Sequence, residues 1–246
     1  MPEGSTGRCK IEVIVPVLNG ANSIERTIAS IFGQSSYRGI DLTIRVQDGG
    51  SQDRTCEVAR AQLESFGTSK AAERISWSID SRKDGGLYAA IDFAIASSGL
   101  EASDWITWIN AGDTLDPKAF EVVHQIGTRC PKTNWITGAV RACLADGTLL
   151  EVQNPLSAAL LRMGLADGEH LFYLQQEGTF FRFGPYRSIR RSLFAGFQAA
   201  GDYFLWNELA HRAGALVYSE KPLGTWYQHE GQLSDRLRGV YENERD

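Results

Sequence analysis

Several short segments carry residues whose types suit chemistry: "VPVLNG" with Asn19, "VQDGGSQDRT" with Asp48 and Asp53, "DGGLY" with Asp84 and "WINAGD" with Asp113. Each lies in a turn that follows a run of β-branched or aromatic residues, so the polar groups stand past strand ends. Carboxylates gathered in one pocket repel a phosphate unless they accept from N–H and O–H donors or hold a cation. A nucleoside diphosphate with a divalent metal asks for both, namely acceptors for base and ribose and a ligand for the metal that bridges the phosphates. Other nucleotide pockets leave different marks. A dinucleotide site needs G-x-G-x-x-G after its first strand, and a P-loop needs G-x-x-x-x-G-K-[ST]; neither follows "VIVPVLNG".

These loops meet only if the surrounding elements bring them together. "IEVIVPV" reads as a buried strand that ends at Pro16, which cannot donate to a ladder. "NSIERTIASIFG" sets Ile24, Ile28, Ile31 and Phe32 on one helical face, with Asn22 as N-cap, Glu25 completing a capping box and Gly33 as the stop. "DLTIRVQ" alternates as a second strand, and the helix after it is entered through Ser51 or Asp53. "RISWSI" and "DWITWIN" read as two further strands. Between them, "LYAAIDFAIASSG" is a helix facing inward through Leu87, Ile91, Ala94 and Ile95, and Asp116-Pro117 starts another after "DWITWIN". Alternation of this kind predicts an α/β fold with a mostly parallel sheet, whose C-terminal strand ends open onto one crevice.

Beyond this the rhythm changes. "NWITGAVRACLADGTLLEV" predicts a hairpin turning at Asp146-Gly147. A helix near 156–163, a strand-like "HLFYLQQ" and a helix "DYFLWNELAHRAG" ending at Gly214 complete a mixed α+β half. No repeat or Gly/Ser linker separates the halves, so one shared sheet is expected.

Composition narrows the classes. The 246 residues are 43% hydrophobic, enough for a sizeable core. Twenty-five basic against 30 acidic residues give a formal charge of -5, which supplies no field for nucleic acid or an anionic bilayer. The four cysteines have no metal-site spacing and fit a reducing cytoplasm. "MPEGSTGRCK" has no apolar run of a signal peptide, and no stretch reaches the ~20 apolar residues of a membrane span. "PLSAALLRMGL" reads either as a core-facing helix or as a surface helix for peripheral membrane contact.

The segments "VIVPVLNGANSIERTIASI", "VQDGGSQDRT", "DGGLYAAIDFAI", "WINAGDTL" and "GDYFLWNELA", in this order, resemble the family 2 glycosyltransferases with the GT-A fold, especially bacterial enzymes that build surface polysaccharides. The resemblance spans about Lys10 to His229. It implies a single domain over 10–229, with a nucleotide-binding half to about 117, an acceptor-binding half from 118, and a tail over 230–246.

By the same resemblance, backbone around Pro16, Val17 and Asn19 cradles the base and Asp48 accepts from a pyrimidine N–H, leaving Asp53 to cap the next helix. Asp84 lies near ribose or diphosphate. Asn110 stands where many relatives have an aspartate, and Asp113 ligates manganese or magnesium, with His229 closing the donor site as a further ligand. Asp202 is the catalytic base of an inverting transfer from a nucleotide-sugar donor, such as a UDP-sugar, to a saccharide or lipid-linked hydroxyl. Phe172, Tyr173, Phe180, Phe181 and Trp206 read either as acceptor surface or, for most of them, as core. Arg182, Arg187, Arg190 and Arg191 either meet a diphosphate or acidic lipid or form a solvated face. A catalytically silent nucleotide-sugar-binding subunit and a nucleotidyltransferase are the alternative readings.

Overall fold

A computed structural model describes residues 9–66, 74–229, 232 and 236–245. Its nine strands form one sheet, shared by both halves of the chain. The first half supplies β1 (Cys9–Val17), β2 (Ile40–Asp48), β3 (Ile75–Ser81) and β4 (Trp105–Trp108), joined through α1 (Ile24–Phe32), α2 (Thr55–Phe66) and α3 (Leu87–Ala96). These four strands pair in parallel in the order β3-β2-β1-β4. β1 is buried from Ile11 to Val17 because helices cover both faces of the sheet. On one face Val13 and Val15 pack with Ile24, Ile28 and Ile31 of α1 and Leu63 of α2. On the other, Ile14 and Ile106 pack with Ile91 and Ile95 of α3.

The second half adds β5 (Thr114–Leu115), α4 (Ala119–Arg129), the hairpin β6 (Trp135–Cys143) and β7 (Leu149–Val152), and α5 (Ala158–Arg162). A 3-10 turn (Gln176–Gly178) leads into β8 (Thr179–Arg182), followed by α6 (Phe183–Tyr186), α7 (Arg191–Phe194) and α8 (Gly201–Arg212). β9 (Leu216–Tyr227) and α9 (Arg238–Arg245) end the described chain. β8 joins β4 to β6 antiparallel, and β6 pairs β9 in parallel. The expected shared sheet and the hairpin at Asp146-Gly147 are both present, with Gly147 at φ 84°.

Some local expectations fail. α1 is preceded by Ser23 rather than Asn22 at its N-cap, and the Ser23 hydroxyl lies 3.2 Å from the Gly20 carbonyl, which accepts from it. "HLFYLQQ" is not a strand. Asp167, three residues before it, gathers the Glu169 and His170 amides (3.0 and 2.8 Å) into a turn at its start, and the strand forms later at β8. Trp206 lies stacked between Trp108 and Trp135, and Phe180 and Phe181 are core residues on opposite faces of β8, so none of the three offers acceptor surface. Phe172 and Tyr173 are exposed.

Candidate active site

The loops after β1 and β2 are knitted together. Asn19 takes the left-handed conformation (φ 52°), which short polar side chains tolerate. Its N–H donates to the Ser51 hydroxyl (2.7 Å), and its side-chain oxygen accepts from the Gln52 amide (2.8 Å). Gly20 N–H reaches the Thr55 hydroxyl (2.9 Å), and Ala21 N–H reaches Asp53 (3.2 Å). Asp53 also accepts from the Thr55 amide (3.0 Å), as a residue closing the entry to α2 does.

Asp48 ends β2 in register with Val17 and is fully buried. It accepts from the Gly50 and Ser51 amides (3.2 and 3.0 Å), from the Ser81 hydroxyl (2.6 Å) and from the Ser51 hydroxyl. Burial acts to raise its pKa, but the hydrogen bonds from Ser51 and Ser81 outweigh it and hold the carboxyl below the ordinary value. In this state Asp48 spends its acceptors on the turn. Asp84 belongs to the same rim: its Oδ1 accepts from the Gly86 amide (3.0 Å), and a Cβ added at Gly49 would lie 3.3 Å from its Oδ2.

The loop after β4 is clamped onto α1. The Thr27 hydroxyl, fully buried, accepts from Gly112 N–H (2.8 Å) and donates to the Asp113 carbonyl (2.7 Å), while Arg26 Nε donates to the Gly112 carbonyl (2.8 Å). Gly112 sits at φ 114°, a conformation only glycine adopts freely. The Asp113 side chain accepts from the Tyr227 amide of β9 (2.9 Å). Burial pushes its carboxyl up to about 6, against that hydrogen bond and the charges of Arg26 and His229. His229 is thus among the groups whose charge acts on Asp113.

Asn110 Oδ1 is buried with no hydrogen-bond partner. An orphaned buried oxygen three residues before the desolvated Asp113 carboxyl is the donor type that a divalent cation such as manganese takes. A second cluster of possible ligands, Asp167, Glu169 and His170, is a weaker fit, since Asp167 already holds the His170 ring (2.8 Å) and two amides.

Asp202 is the second residue of α8, after an Ala200 N-cap, so it does not cap the helix. Its Oδ1 accepts from the Tyr203 amide (2.7 Å) and lies 3.3 Å from the Tyr88 hydroxyl, which also reaches the Ala199 carbonyl (2.9 Å). Burial drives its carboxyl up to about 6, against the hydrogen bonds from Tyr203 and Tyr88. Glu244 of α9 serves the helix start instead, accepting from the amides of Gln198 (2.8 Å), Ala199 and Ala200 (both 2.9 Å).

Sequence reasoning missed Glu177 and Arg26. Glu177 is buried in the 3-10 turn before β8, and it feels the charges of both Asp113 and Asp202. Arg26 looks like a surface residue in "SIERT" but reaches the Asp113 loop and stacks on Tyr227 (3.7 Å). Three of the second-half arginines are structural. Arg182 donates to the Thr133 carbonyl (2.9 Å) and stacks on Trp105 (4.4 Å), Arg190 pairs with Glu208 (3.3 Å) and Arg191 with Asp92 (2.7 Å).

The family model described as "Glycosyl transferase family 2" matches residues 12–196. No curated protein matches the chain. Among solved structures, S. aureus TarS 1-349 in complex with UDP-GlcNAc is similar at TM-score 0.65 and 13% identity, over 92% of this chain and 60% of that one. The mannosyltransferase PcManGT from Pyrobaculum calidifontis, in complex with GDP-Man and Mn2+, is similar at TM-score 0.63 and 15% identity, over 97% and 63%. The chain thus spans less than two thirds of the length of these structures and shares their fold.

Proposed function

The chain belongs to glycosyl transferase family 2, and from that premise we propose that it moves a sugar from a nucleotide diphosphate donor, best read as a UDP-sugar, to a hydroxyl of a saccharide or lipid-linked acceptor, with inversion at the anomeric carbon. The observation that carries the reading is a pair of carboxyls held by the fold, Asp113 after β4 on the Tyr227 amide and Asp202 opening α8 beside the Tyr88 hydroxyl. One carboxylate suits the leaving diphosphate's cation and the other the attacking hydroxyl. Domain membership and the donors named for the similar structures support the same chemistry.

The nucleotide lies across the loops after β1 and β2, with backbone at Pro16, Val17 and Asn19 shaping the base pocket. Asp48 holds that pocket's floor, and a pyrimidine N–H reaches its carboxylate by taking the place of the Ser51 or Ser81 hydroxyl. Asp84 faces ribose or diphosphate. Asp113, Asn110 and His229 would hold manganese or magnesium, which when bound neutralises charge on the diphosphate. Asp202 takes the acceptor proton as the hydroxyl oxygen attacks, and desolvation by its surroundings gives it a basicity suited to that work. One displacement inverts the configuration.

Arg26 favours a second way of meeting the diphosphate, since its guanidinium already reaches the Asp113 loop through the Gly112 carbonyl. A panel of nucleotide sugars, assayed for released nucleoside diphosphate and for product mass with and without chelator, tests the proposal. Release of diphosphate with a glycosylated product supports transfer; pyrophosphate release would mean nucleotidyl transfer, and binding without turnover a silent subunit.

A further inference from the structure

Gln176 and Glu177 lie in a turn that the fold accommodates with two glycines and a bulge. A Cβ at Gly178 would come within 2.7 Å of Val140 Cγ1 and 3.0 Å of the Gly138 carbonyl, and one at Gly224 would strike the Glu177 backbone. Against β6, the partners of Gly138, Ala139 and Val140 in β9 are Ser219, Pro222 and Gly224, so β9 carries three extra residues at this point. The turn fills the space beside that irregularity and touches β4, β5, β6 and β9. It is thereby wedged between the strands that carry the Asp113 loop and those that end near His229.

The side chains held there are unfinished. Both residues are more than nine-tenths buried, at 8% and 6% exposure. Gln176 Nε2 donates to Glu177 Oε1 (2.5 Å), which leaves Gln176 Oε1 and Glu177 Oε2 buried without partners. Burial, with the charge of Asp113, pushes the Glu177 carboxyl up to about 8, so near neutral pH it keeps its proton, and both free oxygens are buried polar atoms that cost free energy until a group pairs with them. Asp113 and Asp202 each act electrostatically on Glu177. In a single displacement the attacking oxygen, the anomeric carbon and the leaving oxygen are in line, so the ring of the donor sugar lies between the group at the acceptor and the group at the diphosphate.

We propose that Glu177, oriented by Gln176, is a donor-sugar specificity residue whose orphaned oxygen, with that of Gln176, pairs with hydroxyls of the transferred sugar. The assignment rests on the transferase reading above. A carboxyl held largely protonated and an adjacent amide oxygen select a sugar that presents two hydroxyls side by side and reject one in which either is missing or turned away.

The test compares the parent with Glu177→Gln and Glu177→Asp, using uridine diphosphate, several UDP-hexoses, GDP-mannose and deoxy analogues of the preferred donor. Affinity is read by calorimetry, donor turnover by nucleoside diphosphate release in water, and folding by thermal melting. Glu177→Gln is expected to melt at or above the parent temperature, and both variants to bind uridine diphosphate within about twofold of the parent and to lose about 10- to 100-fold in kcat/KM for the preferred donor, the scale of leaving one buried polar group unpaired. The deoxy analogue lacking the recognised hydroxyl should lose as much with the parent and little more with the variants. Equal losses for uridine diphosphate and for the sugar nucleotide would overturn the assignment, as would parent-like turnover. Rescue of Glu177→Gln by excess manganese would also overturn it, by making Glu177 a metal ligand. A parent that binds no nucleotide diphosphate at all would sink the transferase reading first, and this assignment with it.

Discussion

The backbone N–H of Asn19 donates to the Ser51 hydroxyl over 2.7 Å, and that hydroxyl in turn donates to Asp48. The first two loops of the site are thus one hydrogen-bonded unit with a buried carboxylate at its base. Ser51→Ala should destabilise the fold by about 1–2 kcal/mol, because the Asn19 amide and Asp48 each lose a partner. Urea denaturation measures this, and a change below about 0.5 kcal/mol would mean that the loops hold each other without it.

Asp48→Ala should weaken uridine diphosphate binding by about 1.5–3 kcal/mol, by loss of the acceptor or collapse of the loop. Because the folded carboxyl sits below its ordinary value, its contribution to stability is present at neutral pH and is lost as pH falls from about 4 downward. The acid limb of a melting curve should therefore flatten in the variant.

Chelator should stop transfer and manganese or magnesium restore it, with Asp113→Ala weakening both metal and donor binding. Full activity in chelator would transfer the counter-charge to Arg26 and His229, and Arg26→Gln would then abolish turnover where Asp113→Ala does not.

Asp202 links rate and stability with opposite signs. Its carboxyl is raised to about 6, so the folded chain favours the proton: the stabilising contribution is full below about 4 and is lost as pH rises through 6, on the order of 3 kcal/mol in total. A base works only when ionised, so transfer should rise over the same interval. Asp202→Asn should remove about 100-fold or more of the turnover and leave the melting temperature at pH 8 equal or higher. Parent-like turnover in that variant would require another base.

Tyr88→Phe keeps the ring that packs on Gly201 and removes the hydroxyl 3.3 Å from Asp202. That hydroxyl holds the carboxyl down, so the rising limb of the rate profile should move to higher pH. An unmoved limb would show that the hydroxyl serves only the Ala199 carbonyl.

What could be read from sequence followed local rules. The strand, turn and helix alternation placed Asn19, Asp48, Asp84 and Asp113 at strand ends because buried strands and amphipathic helices write their periods into neighbouring residues. The positions of Glu177, Arg26 and Glu244 have no such period. Glu177 depends on close approach at Gly178 and Gly224, 46 residues apart by number, and on a bulge in a strand whose polar stretch "SEKP" hides its pairing. Arg26 turns inward because the Asp113 loop offers a carbonyl, and nothing in "SIERT" records that.

The helix that presents Asp202 borrows the anchor of its first turn from Glu244, more than forty positions further along the chain. The aim of the proposed base is therefore decided by a segment outside the sheet. Displacing that helix would leave the sheet whole and its nucleotide loops intact, yet produce a protein that holds its donor and cannot deliver the sugar.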